Sequence, residues 1–145
     1  MSACKVATNY APVIGRALLA LIFLQSGWDK VFNFRKVAGM MAKSGIPFTE
    51  ALLVLSIVLV LAGGMMILLG WHARWAALVL CLWMIPVTIV FHAFWTYAPD
   101  QVFNQTNHFL KNLVVIGFLL NVIGMGSGPY SLRDASCGAD AAGNA

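Results

Sequence analysis

The sequence predicts an all-α integral membrane protein: a four-transmembrane-helix bundle with an interfacial amphipathic helix between helices 1 and 2. Of its 145 residues, 61% are hydrophobic and only 10% are charged, whereas a soluble domain is about 45–50% apolar and about 25% charged. Charged residues are absent from residues 51–73, 75–99 and 112–132, and residues 11–28 contain only Arg16. A chain this short cannot bury so much apolar surface in a water-soluble globule, so these stretches fit lipid.

Each of the four apolar stretches is long enough to cross a bilayer. A membrane helix needs about 20 mostly apolar residues, each rising about 1.5 Å. The stretches are too long for strands and lack the alternation of a membrane β-barrel. The crossings are therefore predicted at residues 11–28, 51–70, 75–95 and 108–124. Residues 1–133 are expected to form a single domain, and the small, polar residues 134–145 a disordered tail.

The first crossing resembles a signal peptide in one respect, since Lys5 precedes an apolar core. No cleavage site of the small-x-small kind follows, because residues 25–29 read Gln-Ser-Gly-Trp-Asp. The stretch is therefore interpreted as a retained helix.

The connection after the first crossing is itself predicted to be helical. Apolar residues recur there at helical spacing while basic residues fall elsewhere on the wheel, which is typical of a helix lying in the membrane interface. A Gly-Ile-Pro sequence at residues 45–47 is expected to end it. Thr49 is then predicted as the N-cap of the second crossing, with Glu50 in its first turn. The apolar positions are Val31, Phe34, Val37, Ala38 and Met41, and the basic ones Arg35, Lys36 and Lys43.

Small and aromatic residues add detail to the crossings. Gly63 and Gly64 allow close helix approach in lipid, and Pro86 is expected to kink the third crossing. The tryptophans near the membrane boundaries are interpreted as interface anchors rather than a cofactor site. They are Trp28, Trp71, Trp75 and Trp95.

Four crossings place both termini and the turn at residues 71–75 on one side, and the two longer connections on the other. Basic residues are divided four against five between these sides, so the positive-inside rule gives no orientation. The net charge of +4 without a basic run suits anionic lipid headgroups and not nucleic acid. Among the cysteines, Cys81 is predicted to be a core residue, while Cys4 and Cys137 lie on one side, where a disulfide is geometrically allowed.

The side with the longer connections collects the residues that could carry chemistry. His108, Lys111 and Asn112 stand at i, i+3 and i+4 and therefore share one helical face. Polar groups at membrane depth point into the bundle or into a wet cavity. A polar pocket open to this side is therefore predicted. Its candidate residues are Gln25, Lys30, His92, Trp95, His108, Lys111 and Asn112.

Alternatives remain open for several of these residues. His92 and His108 invite a metal or haem hypothesis, but no ExxH or HxxxH spacing supports it, so each ring is expected to hydrogen-bond a neighbour, and no metal site is predicted. Lys111 is either a cation for an anionic substrate or a quinone oxygen, or a residue that snorkels to headgroups. Arg16, at the opposite membrane edge, is expected to pair with carbonyls or to snorkel.

Several segments, in order, resemble the DoxX family of small bacterial membrane proteins. Residues 15–19 (GRALL) and 26–30 (SGWDK) resemble its first helix, and the paired glycines with residues 74–78 (RWAAL) are similar to its second helix and tight turn. The resemblance covers about residues 13–133. Further matching segments are residues 38–41, 45–47, 91–95, 109–113 and 128–132, with Gln105.

This resemblance implies a four-helix, multi-pass protein of the bacterial inner membrane. Family members are often named oxidoreductases, and relatives are tied to quinone-linked sulfur oxidation or to resistance against quinone and thiol stress. Many members carry a Glu three residues before the paired glycines, where this chain has Val60. That departure weakens the expectation of catalysis by this chain alone.

These observations suggest three possible functions, and the third has the least support. The first is a membrane component of a redox system, in which a quinone or reactive electrophile enters the polar pocket and a partner protein holds the redox centre. The second is a non-enzymatic membrane anchor or assembly subunit. A small transporter is the third, although no pair of broken helices favours it. The lipid bilayer and a partner protein or a second copy of the chain are the expected partners.

Overall fold

The computed structural model describes residues 3–132, and within this range the chain forms five α-helices and no strand. Four of the helices are long and apolar enough to cross a membrane, which confirms the predicted fold class. The bounds are α1 (Ala3–Phe32), α2 (Phe34–Lys43), α3 (Thr49–Leu69), α4 (Ala73–Phe91) and α5 (Pro99–Met125), with a 3₁₀ turn at Phe94–Thr96.

The short helix α2 lies between the first two crossings, as the sequence pattern predicts. It buries Met41 and leaves Arg35, Lys36 and Lys43 exposed. The helix ends at Lys43, and Gly45 follows with a positive φ of 73°, two residues before Pro47. Glycine adopts this left-handed conformation without a Cβ clash, so the predicted end of α2 is confirmed.

The crossing helices begin earlier than predicted at several places. α1 starts at Ala3 rather than near residue 11, and α5 starts at Pro99 rather than at His108. Pro99 suits the first helical position because a helix leaves that N–H without an intrahelical partner in any case, and Asp100 lies at the positive end of the helix dipole. The polar residues 99–107, predicted as a connection, are therefore helical.

Two further boundaries differ from the prediction. α4 ends at Phe91 rather than near Trp95, because the chain leaves the helix at His92 and then forms the 3₁₀ turn. Thr49 is not the N-cap of α3. That position is Phe48, whose φ of 51° is left-handed, and Thr49 is the first helical residue. Glu50 does lie in the first turn of α3, as expected.

The crossings pack in the order α1 on α3, α3 on α4 and α4 on α5. Glycines lie at these contacts: a Cβ built on Gly27 would be 2.4 Å from a Leu61 methyl carbon, and one on Gly63 would be 2.9 Å from Leu80. Gly64 faces Phe23 in the same way, at 3.1 Å. Small residues thus permit the close packing of α1, α3 and α4 that the Gly63–Gly64 pair predicts.

The buried core lies between the four crossings. Cys81 belongs to it as a buried free thiol, which confirms its predicted role as a small core residue. Many outward-facing side chains are large and apolar, as lipid contact requires. The largest fully buried apolar side chains are Leu53, Ile67, Leu80 and Leu119.

Some predictions concern residues beyond the described range. The prediction of a disordered tail at residues 134–145 falls outside this range. So does the possible disulfide between Cys4 and Cys137, because neither Cys137 nor the side chain of Cys4 is described.

Candidate functional site

The two membrane ends of the bundle carry different kinds of polar contact. The turn end consists of the α3–α4 turn at residues 70–72 and the segment 126–132 that follows α5. The connection end consists of the two longer connections, residues 33–48 and 92–98, and the adjoining helix ends. Both ends hold basic side chains. The hydrogen-bond partners of Arg16 at the turn end differ in kind from those of His92 and His108 at the connection end.

At the turn end, a buried arginine holds the segment that follows α5. Arg16 is only 2% exposed. Its guanidinium donates to the carbonyl oxygens of Ser127 and, at 3.3 Å, of Tyr130. The Leu132 amide also donates to the Leu69 carbonyl at 3.1 Å. Arg16 therefore pairs with main-chain carbonyls, as expected, and its role at this end is to hold the structure together.

At the connection end, His92 and His108 stack on one another. Their ring centroids are 5.1 Å apart and their planes differ by 15°. His92 is the residue that ends α4, and His108 lies on α5, nine residues after Pro99. Both rings are half-buried. The sequence predicted that these two side chains share one pocket, and the stack brings them into contact.

Each imidazole is oriented by a hydrogen bond to a neighbour on α5. His92 Nδ1 is 2.9 Å from Gln105 Oε1, so Nδ1 is the donor of this bond, and the neutral form of the ring keeps Nε2 as an acceptor. Lys111 Nζ donates to His108 Nδ1 at 3.4 Å, which leaves Nε2–H of His108 as a donor. The stacked pair therefore presents one acceptor and one donor, the combination that a carbonyl or hydroxyl group of a ligand requires.

A second polar contact joins α4 and α5 one turn closer to the membrane centre. Asn112 Nδ2 donates to Thr88 Oγ1 at 3.1 Å, and Thr88 in turn donates to the Met84 carbonyl at 2.7 Å. Thr88 is 2% exposed. This chain of bonds fixes the rotation of α5 against α4 and so holds His92 and His108 face to face.

Aromatic side chains border the histidine pair. Trp95 contacts Phe94 and Phe109 edge to face, with ring centroids 5.0 and 6.0 Å away. Trp95 itself is 61% exposed, as expected for a boundary anchor. Tyr97 donates its hydroxyl to the Phe91 carbonyl at 3.1 Å. These contacts hold the connection between α4 and α5 against the first turns of α5.

Two of the predicted pocket residues lie apart from this cluster. Lys30 Nζ donates to Ser26 Oγ at 2.5 Å and to the Ser26 carbonyl at 3.3 Å, both on its own helix. Gln25 is exposed on α1. No described contact joins either residue to the histidines. The candidate site is therefore a histidine cluster (His92, Gln105, His108 and Lys111, with Thr88 and Asn112 beneath), and Gln25 and Lys30 stay predictions.

The metal hypothesis for the two histidines depends on how many ligating side chains lie together. Within residues 3–132, no three His, Cys, Asp or Glu side chains are grouped so that they could hold one. Each imidazole hydrogen-bonds a neighbouring side chain instead, which is the alternative that the sequence favoured. The chemistry available here is hydrogen bonding and a positive charge, and both suit a polar oxygen-bearing ligand.

Gln105 and Thr88 are members of the cluster that sequence reasoning did not include. Gln105 precedes His108 by three residues, so a helical reading of residues 99–107 puts both on one face. The signal was available in Pro99 and Asp100, which mark the helix start. Thr88 carried no comparable signal, because its role depends on the rotation of α4 against α5.

The geometry defines a class of protein: an integral membrane protein of four crossings, with a polar cluster at one membrane edge and a buried arginine at the other. The chain belongs to the DoxX family, whose model matches residues 11–93, more than half of its length. The resemblance in sequence is thereby confirmed. The match includes α1 from residue 11 onward, α2, α3, α4 and His92, but it ends before α5.

Curated relatives agree with this placement. The chain is 26% identical over 120 residues to "Inner membrane protein YphA" of Escherichia coli strain K12, which covers 83% of this chain and 86% of the relative. It is 28% identical over 120 residues to "Inner membrane protein YqjF" of the same organism, with 83% and 87% covered. No solved structure matches the chain. The protein is a multi-pass inner-membrane protein.

Proposed function

We propose that this protein is the membrane component of a redox system and that its histidine cluster binds a quinone or a similar oxygen-bearing electrophile. The observation that supports this function is the stacked His92–His108 pair, oriented by Gln105 and Lys111. A quinone carries carbonyl oxygens that accept hydrogen bonds, and its reduced form carries hydroxyls that donate them. A pair with one donor and one acceptor suits both forms.

Lys111 adds a positive charge beside the pair. Its ammonium group lies 3.4 Å from His108, and the side chain is exposed toward the connection end. A cation near a quinone oxygen favours the charge that develops when the ring accepts electrons. The chain thus supplies binding, orientation and electrostatic stabilisation, whereas the electrons come from the redox centre of a partner protein.

The test uses protein purified gently from native membranes, followed by extraction and identification of bound small molecules and proteins. Quinone is expected in the wild-type preparation and lost in His92→Phe and Lys111→Met, which keep a ring and an aliphatic stem at the two positions. Lys36→Met is the matched control, because Lys36 is also exposed and basic at the connection end but lies on α2. Loss of quinone in this control as well would contradict the proposal.

The second function, a non-enzymatic anchor or assembly subunit, is favoured by Val60. This residue is 3% exposed and packs at the α1–α3 contact, at the position where the family resemblance implies a carboxylate. A stable partner complex without quinone, unchanged by His92→Phe, would favour that function. A purified protein with neither quinone nor partner would contradict both, and substrate flux in liposomes holding only this chain would favour transport.

A further inference from the structure

The connection end also contains a groove between the interfacial helix α2 and the start of α3. It is an open depression of about 680 Å³, and none of its lining residues belongs to the histidine cluster. Its lining combines small residues with one charged side chain of each sign. The lining residues are Phe34, Arg35, Ala38, Gly39, Ala42, Thr49 and Glu50.

The two charges come from different helices and do not neutralise one another. Arg35 is exposed on α2, and Glu50 is exposed in the first turn of α3. Neither forms an ion pair with any residue in the described part of the chain. A groove lined by a guanidinium and a carboxylate that are not paired with each other is complementary to a ligand that carries both a negative and a positive charge.

The groove lies where phospholipid headgroups are found. α2 is amphipathic and exposes Lys36 and Lys43 along with Arg35, which places it at the level of the phosphates. Phe48, adjacent to the groove, is 83% exposed, as suits a ring in the membrane interface. The nearest abundant molecules carrying both charges are therefore zwitterionic lipids.

The chemistry of Arg35 and Glu50 distinguishes among lipid headgroups. Arg35 matches a phosphate, because a guanidinium donates two parallel hydrogen bonds to such oxygens. Glu50 matches a primary ammonium, which donates hydrogen bonds, better than a trimethylammonium group, which cannot. An anionic headgroup without an amine meets repulsion from Glu50. The α3 start also has no side-chain cap, so its first amide groups are free to donate to a phosphate oxygen.

We propose that this groove, called the α2–α3 groove, binds the headgroup of a phospholipid that carries a phosphate and a primary amine, as phosphatidylethanolamine does. Arg35 holds the phosphate and Glu50 holds the ammonium group. The small side chains of Ala38, Gly39 and Ala42 leave room for the short linker between these two groups. The site is independent of the histidine cluster and of the function proposed for it.

Native mass spectrometry of the detergent-purified chain tests this proposal. Phosphatidylethanolamine, phosphatidylcholine and phosphatidylglycerol with identical acyl chains are added separately, and the fraction of protein with one bound lipid is measured. The ethanolamine lipid is expected to bind about ten-fold more tightly than the other two, the effect of one charge-assisted hydrogen bond. Equal binding of the three lipids would overturn the proposal.

Matched variants test whether the preference for the ethanolamine lipid arises in the groove. Arg35→Gln and Glu50→Gln are expected to remove it, whereas Lys36→Gln and Asp100→Asn, which change the same charges outside the groove, keep it. Loss of the preference in the two controls would contradict the assignment.

A steric variant and a soluble competitor complete the test. Gly39→Leu fills the groove without a charge change, since a Cβ at Gly39 meets nothing within 4 Å. Binding of the ethanolamine lipid is expected to fall in this variant, and unchanged binding would contradict a site in the groove. Soluble glycerophosphoethanolamine is expected to compete only weakly. Competition at the same concentration as the lipid would overturn the choice of a membrane lipid as occupant.

Discussion

The buried arginine of the turn end and the histidine pair of the connection end differ in their hydrogen-bond partners. At the turn end, Arg16 is buried and donates to the main-chain carbonyls of Ser127 and Tyr130. At the connection end, His92 and His108 are half-buried and their partners are other side chains. Main-chain partners are fixed by the fold, whereas side-chain partners can exchange for a ligand. Depth of burial and type of partner thus distinguish a polar residue that stabilises the bundle from one that is available for binding.

Arg16→Met gives the largest expected effect on stability. The change removes the guanidinium that donates to both carbonyls. Removing one partner of a buried hydrogen bond costs about 1–3 kcal/mol, so we expect a total loss of about 2–4 kcal/mol. The measurement is the free energy of unfolding in mixed micelles titrated with sodium dodecyl sulfate. Arg74→Met is the control, a half-buried arginine at the same end, with an expected change within about 0.5 kcal/mol. Equal losses in the two variants would remove the distinction between the ends.

Gly70→Ala gives the next largest effect at the turn end. Gly70 has a left-handed φ of 68°, and a Cβ there would lie 2.9 Å from the Ser131 backbone Cα and 2.7 Å from Arg16 Nη1. Strain and overpacking together are expected to cost about 1–3 kcal/mol, measured by the same unfolding titration.

The matched glycine for this comparison is Gly39 on α2, at the connection end. Its Cβ position is open and its conformation is helical, so Gly39→Ala is expected to leave stability unchanged or raise it by up to about 1 kcal/mol. A destabilising Gly39→Ala would show that the connection end is as tightly packed as the turn end.

The hydrogen bond between Asn112 and Thr88 is intermediate between these two kinds of contact, because it joins two side chains but lies at the buried Thr88. Asn112→Leu and Thr88→Val, measured alone and together, give their coupling energy. Hydrogen bonds between membrane helices average about 0.6 kcal/mol in such cycles, and we expect a value of that size. A coupling near zero would mean that this bond does not set the rotation of α5 against α4.

His108→Phe is expected to have the smallest effect on stability. The ring keeps its stack on His92 and loses only the bond from the exposed Lys111, so the change should stay within about 0.5 kcal/mol. Binding of a short-chain benzoquinone, measured by equilibrium dialysis, is expected to fall at the same time. A loss of stability equal to that of Arg16→Met, with binding intact, would make the connection end a structural site as well.

The number and order of the crossings were predictable because hydropathy reports which residues lie in lipid. The helix ends were not, because a helix can continue past the apolar part. Residues 99–107 are polar and yet helical, since Pro99 and Asp100 start the helix outside the hydrocarbon. The start of α1 differs for the same reason: residues 3–10 are mostly polar or small, so the apolar pattern that predicts the first crossing begins only at residue 11.

The candidate site was predictable only in part. His92 and His108 were assigned to one pocket because both follow from the order of the crossings. Lys111 and Asn112 followed from helical spacing on the same face. The partner Gln105 follows from helical spacing once residues 99–107 are recognised as helical. The partner Thr88 depends on how far α5 is rotated and shifted against α4, and no local pattern encodes that. Lys30 was predicted to belong to the polar pocket because of its position along the membrane normal. Its ammonium group instead donates a hydrogen bond to Ser26 on its own helix.

The unequal lengths of the crossings have a consequence for the bilayer itself. α4 has 19 residues and therefore spans about 28 Å, whereas α5 has 27 residues and spans about 40 Å. The shorter helix matches a hydrocarbon thickness of about 30 Å, and the first turns of α5 rise above it. A thicker bilayer draws these turns, with Gln105 and His108, into hydrocarbon, and a thinner one leaves them in water. Hydrophobic mismatch thus makes the hydration of the histidine cluster depend on membrane thickness.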